Sequence, residues 1–177
     1  TYEYKRASMV KQLQDAAALD PLTNLYNRLN LESVFSTLCN KCDSKGGKVA
    51  ILLLDLDHFK KVNDRYGHII GDKVLKEVSI RINNISSKSD WAFRLGGEDF
   101  CLLIPNTSKQ LTANIAENLR KNIKADMHID EHTLNVKVSI GVSYWADDGS
   151  DLTQVFKVAD ERLYKAKRLG RNTVVDT

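Results

Sequence analysis

The distribution of apolar residues along the chain predicts a central sheet. Residues 49–57, VAILLLDLD, form an apolar run that ends in carboxylates, as in a buried strand that reaches the solvent. The stretches WAFRL and FCLLI flank GGED, whose glycines favour a turn, so we expect a hairpin whose second strand ends at Pro105. Residues 134–145 alternate between apolar and polar positions, and residues 172–176 predict a last short strand.

Stretches outside these strands show the periodicity of helices. Val74, Leu75, Val78 and Ile82 fall on one face of a helix predicted over residues 69–84. Further helices are predicted over residues 2–19, 27–40 and 108–125, and from a cap at Asp151 or Thr153 to about Arg168. Residues 58–67, HFKKVNDRYG, have no clear period and are predicted to be irregular. Because helices and strands interleave and the hairpin is antiparallel, we expect α+β architecture with an antiparallel central sheet.

Length and composition indicate one soluble domain. The chain has 177 residues, a net charge of +3 and a pI of about 8.7, which suits a phosphate-bearing ligand. It has no basic stripe with interleaved aromatic residues, so nucleic acid is not expected as a partner. Three cysteines and the lack of a long apolar run predict a cytoplasmic protein, or the cytoplasmic part of a membrane-anchored sensor.

The first residues predict a segment separate from this domain. Residues 1–19 form a predicted linker helix, and residues 20–177 form the domain itself. About two heptads are too short to establish a coiled coil, so two interpretations stay open: a fraying terminal helix, or the end of a helix that pairs with a second copy. Because the chain starts at Thr1, we expect a fragment of a longer protein.

Acidic residues at two places offer candidate chemistry. Asp55 and Asp57 are two residues apart on a strand, so both side chains point to the same face. Carboxylates at the end of a buried strand suit Mg²⁺, although charges also occur simply where a strand reaches water. Glu98 and Asp99 are adjacent on the predicted turn, where they repel each other unless a cation is near. The alternative is a solvated turn without function.

Several motifs in order resemble one family. DLDHFKKVND, YGHIIGD, RLGGEDF and ADERLYKAKRLGRN are similar to the signature motifs of the GGDEF family, the diguanylate cyclases. LDPLTNLYNR is similar to that family's opening motif, D-x-L-T-G-L-x-N-R. The resemblance extends from Asp20 to Val175. It implies the palm-like fold of nucleotide cyclases and polymerases, with a ferredoxin-like core, and the joining of two GTP molecules into cyclic di-GMP with release of pyrophosphate.

The same resemblance implies roles for individual residues. Asp55, the carbonyl of Leu56, Glu98 and Asp99 would hold Mg²⁺ or Mn²⁺, two ions per active site, with Glu98 as the base for the 3′-hydroxyl and Asp99 as the second catalytic acid. Residues implied in substrate binding are Phe59, Lys60, Lys167 and Arg171 for phosphate, Asn63 and Asp72 for guanine, and His68 near the nucleotide or as a helix cap. The spacing of Lys167 and Arg171 places both on one side of a helix end.

Three positions depart from the family's pattern. Asn24 replaces a glycine, and asparagine tolerates positive φ well. Asp99 replaces the usual glutamate and is one methylene shorter, so its reach is reduced. Ser87 replaces the arginine of the Arg-x-x-Asp product-inhibition site, while Asp90 is retained. Without a guanidinium that site loses bidentate capture of the product, so we expect it to be absent.

Three functions remain in competition. The first is an active cyclase that works as a homodimer under an upstream sensor or receiver domain. The second is a degenerate module that binds GTP or cyclic di-GMP, and the third is a dimerisation scaffold. The retained acids and phosphate-binding residues favour the enzyme. We assign no metal or redox role to CNKC, residues 39–42, and we predict that His128 and His132 are surface residues around a loop.

Overall fold

The strand β2 (Lys48–Asp57) lies at the centre of a six-stranded sheet. The structure is a computed structural model that describes residues 2–6, 8–9, 18–42 and 46–177. The other strands of the sheet are β1 (Tyr26–Asn27), β3 (Trp91–Gly96), β4 (Asp99–Thr107), β7 (Lys137–Tyr144) and β8 (Val174–Val175). Their order is β1-β3-β4-β2-β7-β8. The four inner strands are antiparallel, and the short edge strands β1 and β8 run parallel to β3 and β7.

Helices cover both faces of this sheet. They are α1 (Leu31–Asn40), α2 (Phe59–Tyr66), α3 (His68–Ile85), α4 (Lys109–Lys124) and α5 (Leu152–Arg168). A separate hairpin of β5 (Met127–Ile129) and β6 (His132–Leu134) precedes β7. A sheet covered by helices confirms the predicted α+β class and matches the palm-like architecture.

Alternation along β2 divides the core into two layers. Ala50, Leu52, Leu54 and Leu56 join the cluster formed with α3 and α4. Val49, Ile51 and Leu53 point the other way, toward α1 and α5. Asp55 and Asp57 continue this second series, so the strand's pleat directs both carboxylates to the α5 side. Helix α5 approaches closely because Gly141 of β7 has no side chain; a Cβ there would collide with the backbone of Ala159 and Leu163.

Most predicted elements are present. The helix predicted over 69–84 is α3, and the helix predicted over 108–125 is α4, where the Ser108 side chain accepts a hydrogen bond from Leu111 N–H. The C-terminal helix is capped by Asp151, which accepts from Gln154 N–H at 2.9 Å, rather than by Thr153. The helix predicted from residue 27 begins as a 3₁₀ turn, Arg28–Asn30, before α1.

Four local predictions were wrong. Residues 58–67 are not irregular, because α2 occupies most of them; its apolar positions are too few to show a period. The predicted loop around His128 and His132 is the β5–β6 hairpin, although both histidines are exposed as expected. Residues 134–145 do not form one strand as predicted, because β6 ends at Leu134 and β7 begins at Lys137. Pro105 does not end β4, because a register shift opposite Lys48 and Ala50 accommodates the residue that lacks an N–H.

Half of the helix predicted over residues 2–19 lies outside the described residues. The helix does not extend to residue 19 as predicted, because Ala18 lies in a turn and Leu19 forms an isolated bridge with Tyr26. Residues 2–6 and 8–9 are helical, whereas residues 1, 7 and 10–17 are not described. Within the described ranges, no helix is both long enough and apolar enough to cross a membrane.

Candidate active site

The β3–β4 hairpin separates two cavities at the end of β2. One, the α2–α3 cavity, measures about 350 Å³. It is lined by Phe59, Lys60, Asn63, Asp72, Leu75, Arg94, Gly97 and Glu98. The other, the α5 cavity, measures about 330 Å³ and includes Asp55, Asp99, Asp160 and Lys167 in its lining. The structure therefore brings together eight of the predicted site residues, divided between two adjoining spaces.

The order of the two hairpin acids decides which cavity each one lines. Glu98 lies at the turn and faces the α2–α3 cavity, and its carbonyl accepts a hydrogen bond from Leu56 N–H at 3.3 Å. Asp99 begins β4 directly opposite Asp55 and faces the α5 cavity. Gly96 has φ of 145°, which residues with a side chain rarely adopt, and Gly97 has φ of 50°. The acids are thus not interchangeable.

Crowding of acids marks the α5 cavity. Burial, together with the charges of Asp55 and Glu98, raises the pKa of Asp99 to about 6 despite the opposing effect of Lys167. Lys167 Nζ donates to the Asp55 carboxylate, and its positive charge neutralises part of the negative charge of these acids. A carboxylate with a raised pKa beside two other acids is the arrangement that a bound cation relieves.

The residues implied to read guanine meet across α2 and α3. Asn63 and Asp72 both line the α2–α3 cavity. The side chain of Asn63 lies against the backbone of Gly71, where a Cβ would collide with its Oδ1 atom. Gly67, at φ 88°, forms the junction between the two helices and donates to Asn63 O at 2.8 Å. The glycines of YGHIIGD therefore serve to place Asn63, a role that the sequence motif alone did not reveal.

An ion pair connects the β3–β4 hairpin to the opening motif, LDPLTNLYNR. Arg94 donates to both carboxylate oxygens of Asp20 at 3.2 Å and to the carbonyl of Gly97 at 2.9 and 3.1 Å. Thr23 donates to the same carboxylate through its N–H and hydroxyl groups, at 2.9 and 2.7 Å. Asn24 takes φ 61° in this turn, as its replacement of glycine predicts. Two motifs 74 residues apart are thereby fixed to each other.

Asp57 fixes the segment that follows α5. It accepts hydrogen bonds from Ser139 Oγ at 2.6 Å and from Asn172 N–H at 2.9 Å. The second bond anchors the segment after α5, in which Arg171 and Asn172 both have positive φ. Arg120 donates to the Asn172 side chain at 2.9 Å and holds the same segment from α4. Sequence reasoning paired Asp57 with Asp55 as a possible Mg²⁺ ligand, whereas in the structure its oxygens fix this segment.

The predicted geometry of Lys167 and Arg171 was wrong. Helix α5 ends at Arg168, and Arg171 lies beyond it with φ 65°, so the two residues do not share one side of a helix end. Lys167 reaches the α5 cavity, whereas Arg171 is exposed and lines neither cavity. His68 is the exposed first residue of α3, and its side chain does not cap the helix.

The donor set at the end of β2 fits a hard divalent cation. Asp55, Glu98 and Asp99 offer carboxylate oxygens, and Leu56 offers a carbonyl, which are the ligand types that Mg²⁺ prefers. In the described part of the chain, no cluster of three or more His, Cys, Asp or Glu side chains forms a ready-made metal cage. Mg²⁺ commonly uses one or two carboxylates together with water and substrate phosphates.

The cysteines lie away from these cavities. Cys42 Sγ donates to the carbonyl of Gly47 at 2.8 Å, and burial raises the pKa of Cys39 to about 11. Cys101 is fully buried, which also raises its pKa. Protonated thiols are poor nucleophiles and poor metal ligands.

Comparison with known proteins identifies the family. A family model described as "Diguanylate cyclase, GGDEF domain" matches residues 17–173. The chain belongs to the GGDEF family. It is 38% identical to the response regulator PleD of Caulobacter vibrioides over 98% of its own length, but that match spans 38% of PleD. The chain therefore spans less than half of the length of that relative.

Solved structures of GGDEF domains have the same fold. The coiled coil and GGDEF domain of DgcB from Caulobacter crescentus, solved with c-di-GMP, matches with a TM-score of 0.88 at 29% identity, covering 99% of this chain and 94% of that one. The diguanylate cyclase SiaD from Pseudomonas aeruginosa, solved with its activator SiaC, matches with a TM-score of 0.87 at 32% identity. That match covers 99% of this chain and 68% of SiaD.

Replacing Asp20 by asparagine tests the ion pair between Asp20 and Arg94. Burial acts to raise the pKa of Asp20, but hydrogen bonds from Thr23 and Arg94 outweigh it and lower the pKa in the folded protein. The ionised carboxylate therefore stabilises the fold, by about 2 kcal/mol for charge-assisted bonds, above the unfolded pKa of about 3.9. This contribution disappears as the pH falls through the lowered folded value.

The measurement is urea unfolding of both proteins between pH 7 and pH 3. We expect Asp20→Asn to be less stable at pH 7 and the difference to narrow toward pH 3. Asp64→Asn, which changes an exposed acid of α2, is the matched control and should behave like the wild type. A deficit of Asp20→Asn that stays constant with pH would contradict the role of the charge.

Proposed function

We propose that this GGDEF domain is an active diguanylate cyclase, which joins two GTP molecules into cyclic di-GMP and releases pyrophosphate. The observation that carries the proposal is the composition of the α2–α3 cavity. Phe59, Lys60, Asn63, Asp72 and Glu98 come from three separate motifs, and all of them line one space of about 350 Å³. A regulatory module that had lost activity would have no need to keep both a base and a phosphate-binding lysine there.

The chemistry of this cavity suits a guanine nucleotide. Asp72 is a carboxylate that only accepts hydrogen bonds, and guanine offers its N1–H and 2-amino groups as donors. Adenine has no N1–H, so its N1, a hydrogen-bond acceptor, would face the carboxylate of Asp72, which also only accepts. Lys60 would hold the phosphate groups, at the end of the nucleotide opposite the base. Glu98 would take the proton from the attacking 3′-hydroxyl, which general-base catalysis requires to lie within hydrogen-bonding reach.

The acids would hold the metal ions. Asp55, Glu98, Asp99 and the carbonyl of Leu56 would bind Mg²⁺ or Mn²⁺, two ions per active site, which supply charge stabilisation for the pyrophosphate leaving group when bound. In this chain Lys167 holds the Asp55 carboxylate in place and adds a positive charge at the same point. Most of the rate enhancement would then come from positioning and from charge neutralisation.

Catalysis would need two copies of the chain. Each domain would bind one GTP, and two sites would face each other across a two-fold axis so that each 3′-hydroxyl meets the other nucleotide. Residues 1–19 would form the linker segment that brings the copies together under the control of an upstream sensor or receiver domain. Residues 20–177 would form the cyclase domain, with His68 and Arg171 completing the nucleotide site on its exposed side.

A regulatory module is the second candidate. Asp99 is one methylene shorter than the usual glutamate, and this is the observation that favours GTP or cyclic di-GMP binding without turnover. The shorter side chain lies in the α5 cavity opposite Asp55, so the effect would fall on the metal site rather than on guanine recognition.

Incubation with GTP and Mg²⁺ at high protein concentration tests the enzyme directly. We expect cyclic di-GMP, measured by chromatography, and a decrease of about 1000-fold in turnover for Glu98→Gln, because the amide cannot accept the proton. Asp99→Glu restores the usual side chain and should turn over at least as fast as the wild type. Bound GTP without product in the wild type, together with product in Asp99→Glu, would instead establish the regulatory module.

Replacing Asp72 by serine tests guanine recognition. The hydroxyl can donate as well as accept, so discrimination against adenine should decrease, by about 100-fold, while Mg²⁺ dependence stays unchanged. Binding of GTP and of ATP is compared by calorimetry for the wild type and the variant. Asp64→Ser, an exposed acid of α2 that lines neither cavity, is the matched control. Unaltered preference for GTP in Asp72→Ser would remove Asp72 from the base-reading site.

Product inhibition through the Ser87–Asp90 position should be weak or absent. Asp90 here accepts a hydrogen bond from Ser87 N–H at 2.8 Å, and no arginine is present to chelate the product. We expect cyclic di-GMP to inhibit the wild type and Asp90→Ala equally. Tight binding of cyclic di-GMP that Asp90→Ala abolishes, measured by calorimetry, would show that the site works without its arginine.

A further inference from the structure

The side chains of α2 divide between two cavities. Lys60 and Asn63 line the α2–α3 cavity, whereas Lys61 and Arg65 line a third space, here called the basic cavity. The basic cavity measures about 540 Å³ and lies between α2 and the segment 133–137, which joins β6 to β7. It is larger than either cavity at the hairpin, and the proposed cyclase reaction makes no use of it.

Positive charge dominates this cavity. Lys61 and Arg65 are four residues apart on α2, His58 precedes the helix, and Lys137 adds a cation from β7. Within the described residues, none of these four side chains forms an ion pair. Like charges at this helical spacing repel each other, and an anion bound between them would relieve that repulsion.

The acid in the lining does not neutralise these cations. Asp57 is the single carboxylate among the residues described around the basic cavity. Its Oδ1 accepts from Ser139 Oγ, and its Oδ2 accepts from Asn172 N–H, both at less than 3 Å. Asp57 is therefore directed to β7 and to the segment after α5, and three permanent cations remain against one acid that is already engaged.

One wall of the cavity is aromatic. The guanidinium of Arg65 lies 5.2 Å from the centre of the Tyr66 ring, and the His132 ring packs against Tyr66 at 4.9 Å. Val62 and Val136 provide apolar surface beside it. Cations together with an aromatic face suit a ligand that carries both phosphate and a ring, and the volume is that of a pocket for a small molecule.

We propose that the basic cavity is a second anion site, which binds the phosphate groups of a small phosphorylated ligand of nucleotide size. A guanidinium and two ammonium groups from two elements converge on a concave space, which favours a compact ligand over a flat membrane or an extended nucleic acid. The proposal does not depend on cyclase activity, because none of these residues belongs to the proposed catalytic set.

The test uses inorganic pyrophosphate as the probe, added without divalent cations to the whole chain. Backbone amide NMR shifts of residues 133–137 are followed, because this segment lines the basic cavity and neither cavity at the hairpin. We expect saturable shifts there. The double variant Lys61→Ala/Arg65→Ala should weaken binding at least tenfold, and Lys137→Ala on the opposite wall should weaken it independently.

Lys60→Ala is the matched control, because Lys60 adjoins Lys61 on the same helix but lines the other cavity. It should leave the shifts of residues 133–137 within about twofold of the wild-type affinity. Amide spectra of each variant verify the fold. Shifts that do not saturate, that sodium chloride of equal ionic strength reproduces, or that survive the double variant would overturn the proposal. Lys61-dependent binding of anionic vesicles or single-stranded DNA without pyrophosphate binding would also overturn it.

Discussion

Backbone hydrogen bonds on both sides of β2 determine where Asp55 and Asp99 lie. The ladder to β4 places Asp55 opposite Asp99, and the ladder to β7 places it opposite Ser139. Because successive side chains of the strand point to opposite faces, a slip of one residue would move the carboxylates from the α5 side into the layer under α3. The apolar run that forms the centre of the fold therefore also fixes the position of the charges at its end.

Electrostatics at this end are balanced by cations from distant parts of the chain. Lys167 arrives on α5 and contacts Asp55, while Arg94 connects the hairpin carbonyl of Gly97 to Asp20. Burial and the charges of Asp55 and Glu98 still raise the pKa of Asp99, although Lys167 acts to lower it. A site that remains short of positive charge is suited to take up cations together with a polyphosphate, since the fold supplies the acids and the ligand brings the ions.

The sequence allowed the class of fold and the main strands to be predicted, because β2 and the GGED hairpin have strong local signals. It also identified the residues that meet in the α2–α3 cavity, through motifs rather than through geometry. Local propensity could not reveal α2, in which charged residues outnumber apolar ones, or the short β5–β6 hairpin. The position of Arg171 was equally hidden, because it depends on positive φ values that long-range bonds from Asp57 and Arg120 support.

The hairpin also limits how this chain can change. Glu98 and Asp99 serve different cavities only because consecutive residues at the start of a strand point in opposite directions. Insertion or deletion of a single residue between Gly96 and Phe100 would exchange the two directions and present each acid to the wrong space. The length of a side chain here does not change its direction, whereas the number of residues in the turn does. The spacing of the motif is thus a geometric requirement of the sheet, independent of the chemistry that each acid performs.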